Sequence, residues 1–405
     1  MITVEEHRSR VLASAGALPP VRVPLVAARG LVLAENVLNR WPIPLFDNSA
    51  MDGYAVRLFD ATEGSRLRIV ADLPAGTELD PPLGPGEAAR IMTGAPVPGD
   101  ADAVVPLEQT DLGTAVGPTP PEWITVLQQP APGAHIRRAG EESEAGSVAV
   151  PSGTVLGPLQ LSALASAGAA TVLVHPRPRV TVISTGSELI PPEATPRRGQ
   201  IPESNSVYLA AALQDAGAEL ASVLTVHDDV ETLRRALDSV DSDVVILSGG
   251  ASVGAFDVVK ALLNGMGQIR FGPVAMQPGK PQGFGTLDDG TLVFCLPGTP
   301  VGVTVSFELF VRPALRALAG HRELDRPRLV RPAAIGWHSP RHKTQVLPAV
   351  LDGDQVLPSL RRRDASSHPR IAPAAVDALV VIPDGVEEIR AGDPVSVLAV
   401  GPGRP

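Results

Sequence analysis

Between Asp243 and Asp257 an apolar run empties into glycines and hydroxyls, DVVILSGGASVGAFD. Ser248, Gly249, Gly250, Ser252 and Gly254 follow the run directly, and a helical pattern begins after them. Glycines let backbone N–H groups close on an anion, serines add hydroxyl donors, and a helix N-terminus contributes a favourable dipole. The spacing matches neither the dinucleotide fingerprint nor the P-loop. These residues therefore predict a phosphate or oxyanion loop, set against the plainer reading of a strand-to-helix turn. Asp257, at the start of the helix, reads locally as a cap or first-turn charge, with metal ligation as the alternative.

Three further loops carry polar chemistry. Thr185-Gly186-Ser187-Glu188 closes the apolar run RVTVIST, so Glu188 falls at the carboxyl end of a strand. Leu296-Pro297-Gly298-Thr299-Pro300 fixes a rigid approach to a helix. Gln277-Pro278-Gly279-Lys280-Pro281 holds a lysine between prolines, pre-oriented in a way a lysine on a solvated helix is not. Towards the N-terminus, FDNSAMDGY places Asp52 in a polar, glycine-bearing loop between apolar anchors, and RRAGEE sets Arg137 and Arg138 beside Glu141 and Glu142. The plainer reading of RRAGEE is a surface ion-pair cluster. Asp228-Asp229 precedes a helix, where capping is expected. Cys295 lies inside an apolar strand and reads as a small core residue. Several carboxylates, a Gly/Ser loop and a held lysine together point to a phosphate-bearing substrate and a hard cation such as Mg²⁺, which prefers carboxylate and phosphate oxygens.

The elements that must position these loops are legible. Thr3 can cap a helix whose first turn holds Glu5 and Glu6, ending before Pro19-Pro20. VPLVAARGLVLAENV reads as a second amphipathic piece, followed by an extended WPIP. From Leu67 to Gln129 short β-rich runs alternate with Gly and Pro, predicting a small β domain. LQLSALASAGA reads as a short helix. From Arg179 strands and helices alternate: RVTVIST, then SNSVYLAAALQDAG with Ser/Asn caps, ASVLTV, DDVETLRRALDSV, DVVILS, FDVVKALLNG, TLVFCL and VGVTVSFELFVRPALRALAG. That grammar predicts a doubly wound, mostly parallel α/β sheet with active groups at the carboxyl ends of its strands. After Arg326 short β runs return, with a hairpin signal at Asp352-Gly353.

Composition narrows the function classes. The 405 residues carry a net charge of −10, which disfavours a general nucleic-acid or anionic-membrane binder. A single cysteine excludes an internal disulfide framework and a multi-cysteine zinc site. The eight histidines show no HxH or HExxH spacing. No apolar run approaches the ~18 residues of a membrane helix, and the charged start MITVEEHRSR has no apolar signal core. The expected compartment is the cytoplasm.

FDNSAMDGYAV, RIMTGAPVPGDADAVVPLE, IRRAGEE, STGSEL, ESNS, SGGASVGAFD, QPGKP and LPGTPV occur in one order along nearly the whole chain. This ordered set resembles the molybdopterin molybdenumtransferase family, which includes the E domain of gephyrin. The resemblance implies a multidomain α/β and β protein. A central α/β domain of molybdopterin-binding type spans 177–325, an extended mixed domain 1–45 and 132–176, an inserted β domain 46–131 and a C-terminal β domain 326–405.

It further implies a homodimer that converts adenylylated molybdopterin and molybdate to molybdenum cofactor and AMP with Mg²⁺. An upstream adenylyltransferase and cofactor-accepting enzymes would be its partners, with no nucleic acid or membrane. Carried onto this chain, Asp52, Glu188 and Asp257 match acidic catalytic positions. Glu188, Asp257 and Glu142 would face Mg²⁺. Thr185, Gly186, Ser248, Gly249, Gly250, Ser252, Gly254, Lys280, Pro297, Gly298 and Thr299 would bind substrate. Departures stand at Gln277, Thr299 and Gly302, where the family often has Lys, Asn and Ser, and at Glu142, where an aspartate is common. The arginine and serine that the family's C-terminal domain offers the oxyanion have no clear match at 343–346 or 366–368. The same resemblance leaves one alternative, an interaction scaffold with reduced or no catalysis.

Overall fold

Strand 244–248 shows how this chain builds its centre. Val244 and Ile246 enter one apolar cluster, while Val245 and Leu247 enter another on the opposite face. Leu292, Phe294 and Leu296 alternate with Val293 and Cys295 in the same way. Both faces of these strands are apolar, so both must be covered. In the computed structural model, which describes residues 1–114, 117–249, 258–264, 266–360 and 375–401, they are. Helices Asn205–Asp215 and 300–318, with the N-terminal helix Val4–Ser14, cover one face. Val230–Asp238 and Val258–Leu263 cover the other.

The six-stranded sheet runs in the order Glu219–Val226, Arg179–Thr185, Val244–Ser248, Leu292–Leu296, Pro281–Thr286, Arg270–Pro273. The first four strands are parallel. The last two join antiparallel, with Gly283 opposite Cys295 and Gly272 opposite Gln282. Strict strand–helix alternation does not reveal this edge hairpin, because its strands are glycine-rich and short. Gly283 and Gly285 are needed there: a Cβ at Gly283 would lie 2.6 Å from Phe271, and one at Gly285 2.4 Å from backbone at Gln268 and Ile269.

The chain divides into two compact units, one of Met1–Arg22, Gly30–Ala34 and Leu173–Pro405, the other of Val23–Arg29 and Glu35–Val172. The first holds the central sheet and a C-terminal sheet ordered Met276–Gln277, Thr344–Asp352, Ala378–Ile382, Pro394–Ala399, Arg328–Pro332. The expected hairpin at Asp352-Gly353 is present, with Asp352 opposite Gln355 and Gly353 at φ +56°. The N-terminal helix carries the expected capping box between Thr3 and Glu6.

The second unit is built around a five-stranded sheet ordered Ala103–Pro106, Gly53–Val56, Glu87–Ile91, Arg66–Leu73, Trp123–Thr125. Tyr54 and Val56 pack on one side of it and Ala55 on the other. Helix Pro158–Ser166 forms as expected. The segment VPLVAARGLVLAENV does not form one amphipathic element. It breaks into a 3-10 turn, Leu25–Ala28, and two-residue strands, with Gly30 at φ +79° interrupting any helix.

Candidate active site

The parallel strands end side by side, and their last residues form a buried hydrogen-bonded chain. Ser184 and Ser248 are register partners, and their Oγ atoms lie 3.1 Å apart. Ser184 also donates to the Glu203 carboxylate at 3.1 Å. That carboxylate accepts the Ser206 backbone N–H at 3.0 Å and the Ser206 hydroxyl. Glu203 is buried, so its charge depends on these donors. It also replaces the expected cap. Ser204 makes no side-chain cap bond to helix Asn205–Asp215, and the anion of Glu203 sits at its first turn instead.

Glycines bring the loops together above this chain. Gly249 has φ +97°, and a Cβ there would lie 2.4 Å from the Thr185 carbonyl oxygen. A Cβ on Gly298 would meet the Gly249 Cα at 3.4 Å. Asn205 ties in the third loop, donating to the Gly298 carbonyl at 2.9 Å. Thr185 Oγ1 and Asn205 Oδ1 are buried and have no hydrogen-bond partner among the described residues. Two unpaired oxygens at one edge are costly unless something occupies it. Gly302 is also constrained, since a Cβ would lie 2.7 Å from Thr299 Oγ1 and 3.0 Å from Pro297.

Glu188 is exposed just beyond this edge. A Cβ on Gly186 would lie 2.7 Å from a Glu188 carboxylate oxygen, so the side chain folds back over that glycine. Asp228 anchors the loop by accepting the Ser187 N–H at 3.0 Å, and Asp229 caps the next helix through Thr232. Strand Pro281–Thr286 runs antiparallel to Leu292–Leu296, which puts Lys280 at the same sheet edge. Lys280 is exposed, and its loop is clamped by Gln282, which donates to the Gly279 carbonyl and to Ser306 Oγ, both at 2.7 Å. Gln277 pairs with Gln345 of the C-terminal sheet. Thr185, Gly186, Glu188, Ser248, Gly249, Lys280, Pro297, Gly298 and Thr299 are thus gathered at one edge. Gly250, Ser252, Gly254, Asp257 and residues 366–368 lie outside the described residues.

Asp52 and Glu142 belong to the second unit. Asp52 accepts the Thr93 N–H at 2.7 Å and the Thr93 hydroxyl at 2.8 Å, and these bonds hold its carboxyl below the usual range. Arg138 pairs with Asp47 at 2.5 Å rather than with the adjacent glutamates, whereas Glu141 accepts the Arg138 N–H. The Ala139 N–H and Arg138 keep Asp47 ionised well into acid. Glu142 is exposed, its backbone N–H bonded to Ile43.

Glu203, Asn205, Gln282 and Asp47 escape a reading by charge and spacing. Glu203 and Asn205 sit in the quoted ESNS motif, where helix capping hides their other roles. Gln282 looks like an ordinary strand residue.

Oxygen-only donors suit a hard cation. Glu188, Thr185 Oγ1 and Asn205 Oδ1 are such donors, and no group of three His, Cys, Asp or Glu able to hold a metal occurs among the described residues. That set fits Mg²⁺, which takes one or two protein ligands and completes its shell with water and substrate phosphates.

An open α/β sheet with glycine-lined loops at its carboxyl edge, in a chain that also carries small β sheets, defines a class of α/β proteins that take ligands at their strand ends. Family models agree: "MoeA N-terminal region (domain I and II)" matches residues 2–168, "Probable molybdopterin binding domain" 181–317 and "MoeA C-terminal region (domain IV)" 331–400. The chain is 42% identical to molybdopterin molybdenumtransferase 2 of Mycobacterium tuberculosis over 98% of its length and 99% of the relative's. It is 37% identical to molybdopterin molybdenumtransferase 1 of the same organism, with 98% of each chain covered. A crystal structure of a molybdopterin biosynthesis MoeA protein from Pyrococcus horikoshii superimposes with a TM-score of 0.82 at 31% identity, covering 99% of both chains. The chain belongs to the molybdopterin molybdenumtransferase family.

Proposed function

We propose that this protein inserts molybdenum into adenylylated molybdopterin, taking molybdate as co-substrate and releasing AMP. The observation that carries the reading is the carboxyl edge of the central sheet. There, three loops meet through Gly249 and Gly298 around the unpaired oxygens of Thr185 and Asn205. Such an edge suits a phosphate chain, with backbone N–H groups as donors, while the Ser248 hydroxyl donates to Ser184, whose own proton goes to Glu203. Family membership supports the reaction class.

In this reading Ser248 and Gly249 hold the nucleotide phosphates, and the chain Glu203–Ser184–Ser248 fixes the Ser248 hydroxyl. Pro297, Gly298 and Thr299 shape the opposite wall. Glu188, with Asp257, would hold Mg²⁺, which when bound neutralises phosphate charge. Lys280 attracts the molybdate dianion. Asp52 and Glu142 act from a second copy of the chain in a homodimer. Exposed Phe46 and Met51 flank Asp52 and would be covered by that contact.

The test is cofactor formation by purified protein from adenylylated molybdopterin, molybdate and Mg²⁺, read by reconstitution of a cofactor-free molybdenum enzyme. Reconstitution that requires this protein and molybdate supports the reading, and none above the protein-free control overturns it.

A further inference from the structure

The N-terminal helix and the edge hairpin of the central sheet enclose a cleft of about 480 Å³. This is the size of a small-molecule site. It shares no residue with the loops at 185–188, 248–249 or 297–299. Phe284 and His7 give it a ring-lined floor, whereas Phe271 borders it from the strand with its ring packed on the opposite face beside Gly283. Arg10, Arg270 and His7 also line it, and no aspartate or glutamate does. In a chain of net charge −10 that is an unusual local balance. Neither arginine makes an ion pair among the described residues, so both guanidiniums keep their donors for another partner.

His7 is only 6% exposed and is held edge-on by Phe310 at 4.6 Å and Phe284 at 6.4 Å. Burial and Arg10 lower its pKa to about 4, so at neutral pH it is an uncharged imidazole with one donor and one acceptor. Gly272, on the outermost strand, leaves the cleft open, since a Cβ there would meet no atom within 4 Å. A strand glycine that is not needed for close packing often marks a place where a ligand approaches.

We propose that this cleft binds a small aromatic or heteroaromatic anion. Its ring lies over Phe284 and His7, and its carboxylate, sulfonate or phosphate pairs with Arg10 and Arg270. The volume exceeds what inorganic phosphate or sulfate fills, and the floor of Phe284 and His7 has no role for a bare oxyanion. Guanidinium suits planar oxyanions through paired N–H bonds and stacks on rings. The site lies apart from the loops at 185–188, 248–249 and 297–299 and meets the Lys280 loop only through Gln282, which lines the cleft and clamps that loop.

The probe is 8-anilinonaphthalene-1-sulfonate, titrated by fluorescence into the full-length protein with saturating AMP present. One saturable equivalent is expected. The double variant Arg10→Ala/Arg270→Ala should weaken binding at least tenfold, and Arg10→Lys/Arg270→Lys should retain part of it. Gly272→Phe should abolish binding, while cofactor formation stays unchanged in the arginine variants. The uncharged analogue N-phenyl-1-naphthylamine should be lost in Gly272→Phe but barely affected by arginine removal. Should Gly272→Phe fail to fold, the arginine variants decide. Absence of saturable binding, unchanged binding in the arginine double variant, or competition between the dye and AMP overturns the proposal.

Discussion

Ser184 and Ser248, register partners near the carboxyl ends of neighbouring parallel strands, place their Oγ atoms 3.1 Å apart, and Ser184 in turn donates to Glu203. Ser248 thereby reaches the candidate phosphate loop already fixed by its neighbour. Glu203→Ala would leave the Ser184 hydroxyl and the Ser206 N–H without their acceptor, at about 1–3 kcal/mol for each buried unsatisfied group. Thermal denaturation should show a melting temperature lowered by several degrees. Calorimetry should show AMP binding weakened at least tenfold, with Glu203→Gln intermediate in both. An Ala variant that melts and binds like the parent would remove Glu203 from the account.

Thr299 and Gly302 form a matched pair. A serine at 302 would place its Cβ 2.7 Å from Thr299 Oγ1 here. Gly302→Ser alone should destabilise by about 1–3 kcal/mol, the usual cost of overpacking. Thr299→Ala in the same chain should recover most of that loss. Urea denaturation of the two single variants and the double variant measures the coupling. Additive effects would show that the two positions are independent.

Molybdate dependence should respond to the lysine loop. Lys280 is exposed, and Gln282 clamps its backbone. Gln277→Lys adds a charge beside a dianion, and a partly exposed ion contact is worth on the order of 1 kcal/mol, or about fivefold. The molybdate concentration for half-maximal insertion should fall, with steeper salt dependence. Lys280→Ala should raise it, and AMP binding should change less in both variants. If Gln277→Lys leaves molybdate dependence unchanged, the oxyanion site lies elsewhere.

Acid should destabilise the α/β unit through His7. Its folded pKa is about 4, against 6.5 when unfolded, because burial and Arg10 disfavour the imidazolium. Between those values the unfolded state binds the extra proton, so stability is full above pH 6.5 and falls as pH drops towards 4. The whole window amounts to about 3 kcal/mol. His321, lowered to about 4 by burial and Arg316, acts in the same direction, with a smaller effect because it is less buried than His7. Urea denaturation at pH 7 and pH 5 should show a loss in the parent that His7→Phe reduces. An equal loss in His7→Phe would assign the effect to other groups.

Fold and site differ in how far they can be read from sequence. The strands 244–248 and 292–296 announce themselves because both faces are apolar, and Thr3 with Glu6 fixes the first helix. The edge hairpin does not, since Gly272, Gly283 and Gly285 carry no pattern, and Gly283 and Gly285 are set by packing against Phe271 and Ile269. Loops at strand ends are legible as glycine and hydroxyl clusters, so Ser248, Gly249 and Gly298 are found. Glu203 and Gln282 are not, because their partners, Ser184 and Ser306, are 19 and 24 residues away. The link from Arg138 to Asp47 spans 91 residues and displaces the local pairing that RRAGEE suggests.

The proposed sharing of the site between two chains is open to complementation. Asp52→Ala and Glu188→Ala should each abolish cofactor formation, yet a heterodimer of the two retains one intact site. Co-expressed, differently tagged chains purified through both tags should recover up to half the parent's activity. If the mixed dimer is as inactive as either variant, Asp52 does not act from a partner.

The central claim is tested most directly by the stoichiometry of a single turnover. Protein, adenylylated molybdopterin, Mg²⁺ and limiting molybdate are mixed and quenched, and AMP and pterin-bound molybdenum are measured in the same sample. The account predicts one AMP released per molybdenum bound, both scaling with molybdate and both lost in Glu188→Ala. Molybdenum bound without AMP release, or AMP release indifferent to molybdate and to Glu188, would contradict it.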